Sequence, residues 1–181
     1  MAATPDELFA FLDRCGIAHE TVRHPPLFTV EESKRLRGVI PGAHVKNLFL
    51  KDKKGGLFLV SAVEDTAIDL KTFHARVGAQ GRVSFGSAEL LGEALGVEPG
   101  SVTPFAAFND REKRVGVILD ARLLAHERIN VHPLVNTMTT GVSRAGLLAF
   151  FAATGHAPRI VDLHAPESRV SVAEPAGTSH L

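Results

Sequence analysis

Apolar residues at 8, 9, 11 and 12 fall on one face of a helix, behind a start signal in Thr4-Pro5-Asp6-Glu7. Thr4 reads as the N-cap, Pro5 as the first helical residue and Glu7 as the return half of a capping box, with Gly16 as the stop. Residues 18–23 alternate as a strand does. Thr29-Val30-Glu31-Glu32 is a second capping box, opening a short helix that Gly38 ends, and Pro41-Gly42 turns the chain. The segment 44–51 starts polar and becomes apolar at Leu48, Phe49 and Leu50. Asp52-Lys53-Lys54-Gly55-Gly56 is a hairpin signal, and 57–63 is the returning strand. A short helix is expected over 69–77, a strand over 82–85, and a helix over 88–95 capped by Ser87 and ended by Gly96. Further on, the pattern predicts an extended run at 105–108, a buried strand at 115–119, a short helix at 121–125 and strands at 129–132 and 137–142. Ser143 caps the last helix, which runs to Thr154 and Gly155, and 159–163 reads as an edge strand. Helices and short strands interleave irregularly with at least one hairpin, which predicts a mixed α+β sheet over a doubly wound one. No internal repeat or interdomain linker is visible, so residues 1–164 read as one domain, followed by a loose Pro-, Ser-, Gly- and Ala-containing tail at 165–181.

Composition narrows the function classes. The 181 residues suit a single core, and 45% hydrophobic with 22% charged residues is ordinary for a globular protein. Twenty basic and twenty acidic side chains cancel. That argues against coating long stretches of nucleic acid by phosphate neutralisation and leaves room for contact with one RNA end. The single cysteine, Cys15, excludes an internal disulfide framework and fits a reducing cytoplasm; its place at the end of an apolar helix reads as a packed thiol. No run of ~18 apolar residues and no basic-then-apolar start suggest a membrane span or export.

Several familiar chemistries lack their residues. Nine histidines include no HExxH and no helical pair beside a carboxylate, so no metal is expected. There is no GxSxG elbow, P-loop or dinucleotide fingerprint, and Ser101 has no evident base partner. What stands out is the loop Glu98-Pro99-Gly100-Ser101-Val102-Thr103-Pro104-Phe105. Its prolines fix the corners and Gly100 is free to take positive φ, so the amides of Ser101, Val102 and Thr103 form a candidate nest for an oxyanion or phosphate, or the loop is a plain connector. His132, before a proline at a strand end, reads equally as a substrate contact or as a structural imidazole. Lys46, near the start of a core strand, is by itself either positioned or a solvated surface lysine.

The lysine of Val45-Lys46-Asn47, the GxxxP loop from Gly100 to Pro104 and the run His132-Pro133-Leu134-Val135-Asn136, in that order, resemble the YbaK-like aminoacyl-tRNA editing domains. The likeness runs from the first helix to about residue 164 and is greatest to the free-standing Ala-tRNA(Pro) deacylases. It implies a curved, barrel-like mixed sheet flanked by helices and hydrolysis, without cofactor or metal, of the ester joining an amino acid to the terminal adenosine. By this resemblance Lys46 holds the backbone phosphate at that adenosine, the amides around Gly100 and Ser101 receive the developing oxyanion, and His132 lines the amino-acid pocket. Asn47 and Asn136 support the substrate together with Val102, Thr103 and Pro104, while Val30, Ile40 and Leu48 are offered as pocket wall. A ribose hydroxyl of the tRNA would help orient the water, which accounts for the missing protein base. Lys51, Arg76, Arg82 and Arg128, with Lys53 and Lys54, are candidates to grip the acceptor stem, each otherwise an ordinary solvated charge. The implied partners are tRNA(Pro) and, among proteins, prolyl-tRNA synthetase or an elongation factor, in the cytoplasm. The rival expectations are Cys-tRNA(Pro) or Ser- and Ala-tRNAs as substrate, a non-catalytic RNA-end binding module, and a metal-dependent hydrolase.

Overall fold

A computed structural model describes residues 1–26, 30–37 and 40–164, without the side chains of Val30, Ser33, Leu36 and Arg37. Thr29 of the second capping box, its stop at Gly38, and the tail at 165–181 lie outside the described residues. The described residues form five α-helices: α1 (Pro5–Arg14), α2 (Val30–Arg37), α3 (Leu70–Val77), α4 (Ala88–Leu95) and α5 (Arg144–Thr154). Eight strands accompany them: β1 (His19–Arg23), β2 (Ala43–Lys51), β3 (Leu57–Val63), β4 (Ser84–Phe85), β5 (Val115–Asp120), β6 (Arg128–Val131), β7 (Met138–Ser143) and β8 (Arg159–Val161).

The strands form one mixed sheet in the order β1-β7-β6-β2-β3-β5-β8, with β4 also on β2. The nine-residue β2 is its axis. One edge pairs antiparallel with β3 over its length. The other takes β6, in parallel, at Ala43 and His44, and β4, antiparallel, at Leu50 and Lys51. Between these short ladders, residues 45–49 of that edge carry no strand among the described residues.

Alternation along β2 assigns its faces. Val45 and Phe49 join the larger core, built with Leu8, Leu12, Leu95, Phe105, Phe150 and Phe151 from α1, α4, the 104–109 turn and α5. Leu48 and Leu50 join a smaller core with Phe73, Val77, Val83, Ile118 and Leu163. Each fully buried Leu or Phe contributes about 1.5–3 kcal/mol relative to exposure.

The sequence-predicted helix starts form as expected because their signals are local. Thr4 and Glu7 make both bonds of the capping box, and Ser87 and Ser143 accept from the N–H three residues on. Three expectations need correction. Residues 105–108 are not extended: Thr103 accepts the Phe105 N–H and Pro104 starts a 3₁₀ turn over Pro104–Asn109. The helix expected over 121–125 shrinks to a 3₁₀ turn at Leu123–Ala125. Cys15 is exposed, because α1 ends at Arg14 and the thiol falls on the cap residue, outside the Leu8–Leu12 stripe.

Candidate functional site

The parallel pairing of β2 with β6 brings distant motifs together. Ala43 lies opposite Ile129 and His44 opposite Asn130. The ladder stops there, with Lys46 two residues beyond His44 on β2 and His132 two residues beyond Asn130, just past the end of β6. On the other side of β6, Val131 pairs Thr140, so His132 falls level with Thr139; Thr139 in turn pairs Val22 of β1. His24 closes the row, its Nε2 2.9 Å from Thr139 Oγ1. On the same face Val22, at the sheet edge, is 39% exposed, whereas Thr139 and Asn130 are buried.

Lys46 is held rather than solvated. Its half-buried ammonium donates to the main-chain carbonyl of Thr66. Thr66, itself buried, donates its hydroxyl to Asp120 Oδ2 at 3.3 Å. Asp120, fully buried at the end of β5, takes the Leu163 N–H on Oδ1 at 3.2 Å. An ammonium has three protons, so anchoring one leaves two for a ligand.

His132 is anchored on one nitrogen and open on the other. A carbonyl only accepts, so the 3.1 Å contact from Nδ1 to the Met138 carbonyl places the proton on Nδ1 and the lone pair on Nε2. Burial pushes the ring's pKa below its usual value of 6.5; the Met138 carbonyl opposes this and nearby His24 adds to it. A neutral ring offering Nε2 accepts a hydrogen bond from an ammonium or a water.

The GxxxP loop is stitched to this strand end. Thr103 Oγ1 donates to the His132 carbonyl at 2.6 Å. A methyl group placed on Gly100 would come within 3.8 Å of Asn136 Nδ2, so the two motifs are neighbours. Pro99 and Gly100 (φ 87°) form the corner of a turn closed by the Ser101 N–H on the Glu98 carbonyl at 3.0 Å. That bond corrects the expected nest, since the Ser101 amide is spent. The amides of Val102 and Thr103 have no partner among the described residues. Ser101 is buried, and no imidazole or carboxylate bonds its hydroxyl among those residues.

The remaining candidates divide. Asn47 points away from Lys46, into the core face, where Ser61 donates to its Oδ1 at 2.6 Å. Ile40 is buried and its carbonyl lies 3.3 Å from His44 Nε2; Leu48 shares the face of Lys46 and packs on the smaller core; Pro104 is buried. The Val30 side chain is outside the described residues. Arg76 donates to the carbonyls of Asp162 and His164, tying α3 to the segment after β8. Arg128 pairs with Glu20 at 2.9 Å and lies over Gly141. Lys51 and Arg82, in contrast, line a common cleft of about 340 Å³ with Lys53 and Ser84. Sequence reasoning missed Thr66, Asp120, His24 and Thr139. No local motif marks them, and only the strand register gathers them.

Among the described residues no group of three or more His, Cys, Asp or Glu converges as metal ligands would, and no helix is long and apolar enough to cross a membrane.

Comparison with known proteins gives the family. The family model described as "Aminoacyl-tRNA editing domain" matches residues 24–150, spanning His24, Lys46, Gly100 and His132. The chain is 40% identical over 157 residues to "Prolyl-tRNA synthetase associated domain-containing protein 1" of Danio rerio, covering 86% of this chain and 85% of that one. It is 34% identical over 157 residues to "Prolyl-tRNA editing protein ProX" of Acetoanaerobium sticklandii, covering 86% of this chain and 95% of that one. In fold it is similar to a crystal structure offered as a trans-editing enzyme for prolyl-tRNA synthetase, with TM-score 0.65 at 21% identity over 89% of this chain and 98% of the other. On the matched domain, the relatives and the sheet that gathers Lys46, His132 and the GxxxP loop, the chain belongs to the aminoacyl-tRNA editing domain family, with the YbaK-like fold.

Proposed function

We propose that the protein is a cytoplasmic trans-editing deacylase that hydrolyses mischarged Ala-tRNA(Pro) to alanine and free tRNA(Pro), without a metal. The observation that supports this reading is that the GxxxP loop is bonded to the His132 carbonyl, with His132 held neutral and Lys46 held on the Thr66 carbonyl, in a chain of the editing family.

In the proposed reaction, Lys46 takes the phosphate of the terminal adenosine with its two remaining protons. The Val102 amide faces the ester carbonyl oxygen as it gains charge; a donor of this kind is worth about 3–4 kcal/mol where measured elsewhere. His132 Nε2 accepts from the α-ammonium of the amino acid and fixes it in the pocket. Water adds to the carbonyl carbon, the bond from that carbon to the ribose oxygen breaks, and a proton from the water passes to the leaving ribose oxygen. Orientation and oxyanion stabilisation suffice for an ester this activated, so a protein base is not required. The alanine preference follows from size: a pocket shaped for a methyl group excludes the proline ring by clash, whereas rejection through lost apolar contact yields only ~1–3 kcal/mol.

The test is deacylation of Ala-, Cys-, Ser- and Pro-tRNA(Pro) by wild type and Lys46→Ala, with EDTA present. Fast, lysine-dependent release of alanine with proline spared supports the proposal. Preferential cleavage of cysteine overturns the substrate, loss of activity in EDTA overturns metal independence, and no turnover at all favours a binding module.

A further inference from the structure

We infer that His24 is a positioning residue for His132: it holds in place the main-chain carbonyl that keeps the His132 proton on Nδ1, and so leaves Nε2 bare for the substrate. That a substrate meets Nε2 rests on the proposed function; the placement of the proton does not. The anchor is the Met138 carbonyl, 3.1 Å from His132 Nδ1. The β6–β7 ladder does not secure it. That ladder stops at Val131 and Thr140, and Pro133, which follows His132, has no N–H to give. The carbonyl is left for the imidazole, and its position is set from the other side of β7, where β1 ends.

There Arg23 pairs Met138, the last rung of the β1–β7 ladder, and His24 follows. His24 brackets Met138 with bonds to the residues on either side of it. Its N–H donates to the Thr137 carbonyl at 2.9 Å, and its Nε2 lies 2.9 Å from Thr139 Oγ1. Main-chain groups alternate along an antiparallel strand, so a Thr137 carbonyl bonded toward β1 sends the Met138 carbonyl the other way, toward His132. The His24 ring is itself fixed. Its Nδ1 lies 2.9 Å from the Pro25 carbonyl, which only accepts, so Nδ1 carries the proton and in the neutral ring Nε2 takes the Thr139 hydroxyl proton. Thr139 is buried, where a hydroxyl stripped of its partner is costly. The imidazoles of His24 and His132 thus share one proton pattern: the first has its Nε2 capped by Thr139, and the second has no Nε2 partner among the described residues. They are close enough to feel each other, since charge on His24 disfavours charge on His132.

Nitrogen NMR of the imidazole rings at about pH 8, where ordinary imidazoles are neutral, reads which nitrogen of His132 carries the proton. The His132 signals are those that vanish in His132→Gln. Wild type is expected to show Nδ1–H alone. In His24→Ala the Nε2–H tautomer is expected to appear beside it, and kcat/KM on Ala-tRNA(Pro) to fall by about two- to tenfold, the range set by one ordinary hydrogen bond. Thr139→Val, which keeps the volume and removes the hydroxyl, should do the same. His24→Gln, whose amide oxygen can accept from Thr139, should restore the wild-type tautomer and rate. A merely structural His24 would lower the melting temperature and leave the tautomer alone. A His132 that stays wholly Nδ1–H in His24→Ala and Thr139→Val, or that carries Nε2–H in the wild type, overturns the inference. Should His24→Ala fail to fold, Thr139→Val decides. A shifted tautomer in a chain that hydrolyses no aminoacyl-tRNA would sink the deacylase reading and leave this one standing; normal hydrolysis with no shift would do the reverse.

Discussion

Replacing Thr103 by valine separates the stitch between the GxxxP loop and His132 from everything else the loop does. The Thr103 side chain is fully buried, donates to the His132 carbonyl at 2.6 Å and accepts the Phe105 N–H at 3.3 Å. Valine keeps the volume and removes the hydroxyl, stranding a buried carbonyl and a buried N–H. An unsatisfied buried group costs about 1–3 kcal/mol; the longer bond belongs at the low end, so the pair comes to about 2–4 kcal/mol. For a chain of this size each kcal/mol moves the melting temperature by about 2–4 °C, giving a fall of roughly 4–16 °C. Thr103→Ser keeps both bonds and loses one methyl, about 1 kcal/mol. The functional consequence is separate. If the loop amides face the reacting carbonyl, a drift of the order of 1 Å costs about a hundredfold in rate. The assay is single-turnover deacylation of Ala-tRNA(Pro) beside a thermal melt, at a temperature where all three proteins are folded. The reasoning predicts a slow valine variant and a near-normal serine variant. A valine variant that melts early but hydrolyses at the wild-type rate would show that the stitch stabilises the fold without aligning the site.

The neutral state of His132 gives a pH expectation. Burial depresses its pKa from 6.5, so hydrolysis should hold steady as pH falls to that value and decline only below it; a midpoint at or above 6.5 contradicts the assignment. Stability follows the same sign: the unfolded chain binds this proton more readily, so the stabilisation is full above about 6.5 and is lost as pH falls through the folded pKa. For the lysine anchor, Thr66→Val should lower kcat/KM by about tenfold in the wild-type background and cost nothing further in Lys46→Ala; additive losses in that cycle would mean that Thr66 acts elsewhere. Lys51→Ala and Arg82→Ala should each weaken RNA binding and reduce the slope of log K against log salt by roughly 0.7–0.9, while an unchanged slope would remove that residue from the phosphate contacts.

What was legible in the sequence is what is local. Thr4, Ser87 and Ser143 cap the helices they precede because the bond spans only three residues. The hairpin at 52–56 and both its strands could be read for the same reason. The 105–108 segment misled because its hydrophobic run fits a strand, whereas Thr103-Pro104 just before it starts a helical turn. Thr66 and Asp120 carry no motif. They matter only because β3 lies parallel to β5, bringing the turn after one strand to the end of the other. Pairings of this range are a property of the sheet, and local pattern does not encode them.

Lys46 and Asn47, adjacent in a strand, face opposite ways, and the strand's pairing gives each a different route into the proposed site. On β2 the His44 carbonyl bonds Glu64 on the β3 side, while the Phe49 carbonyl bonds Gly86 on the other. Main-chain groups alternate along a strand, so those of Val45, Asn47 and Phe49 face the edge that β6 and β4 leave uncovered. In the proposed site Lys46 acts through its side chain and Asn47 through its backbone, while the Asn47 amide stays bound to Ser61 across a narrow, non-hydrogen-bonded pair of the ladder. A gap in one strand's pairing supplies both the room for an extended ligand and the polar groups to meet it. The two ladders at its ends hold that gap open.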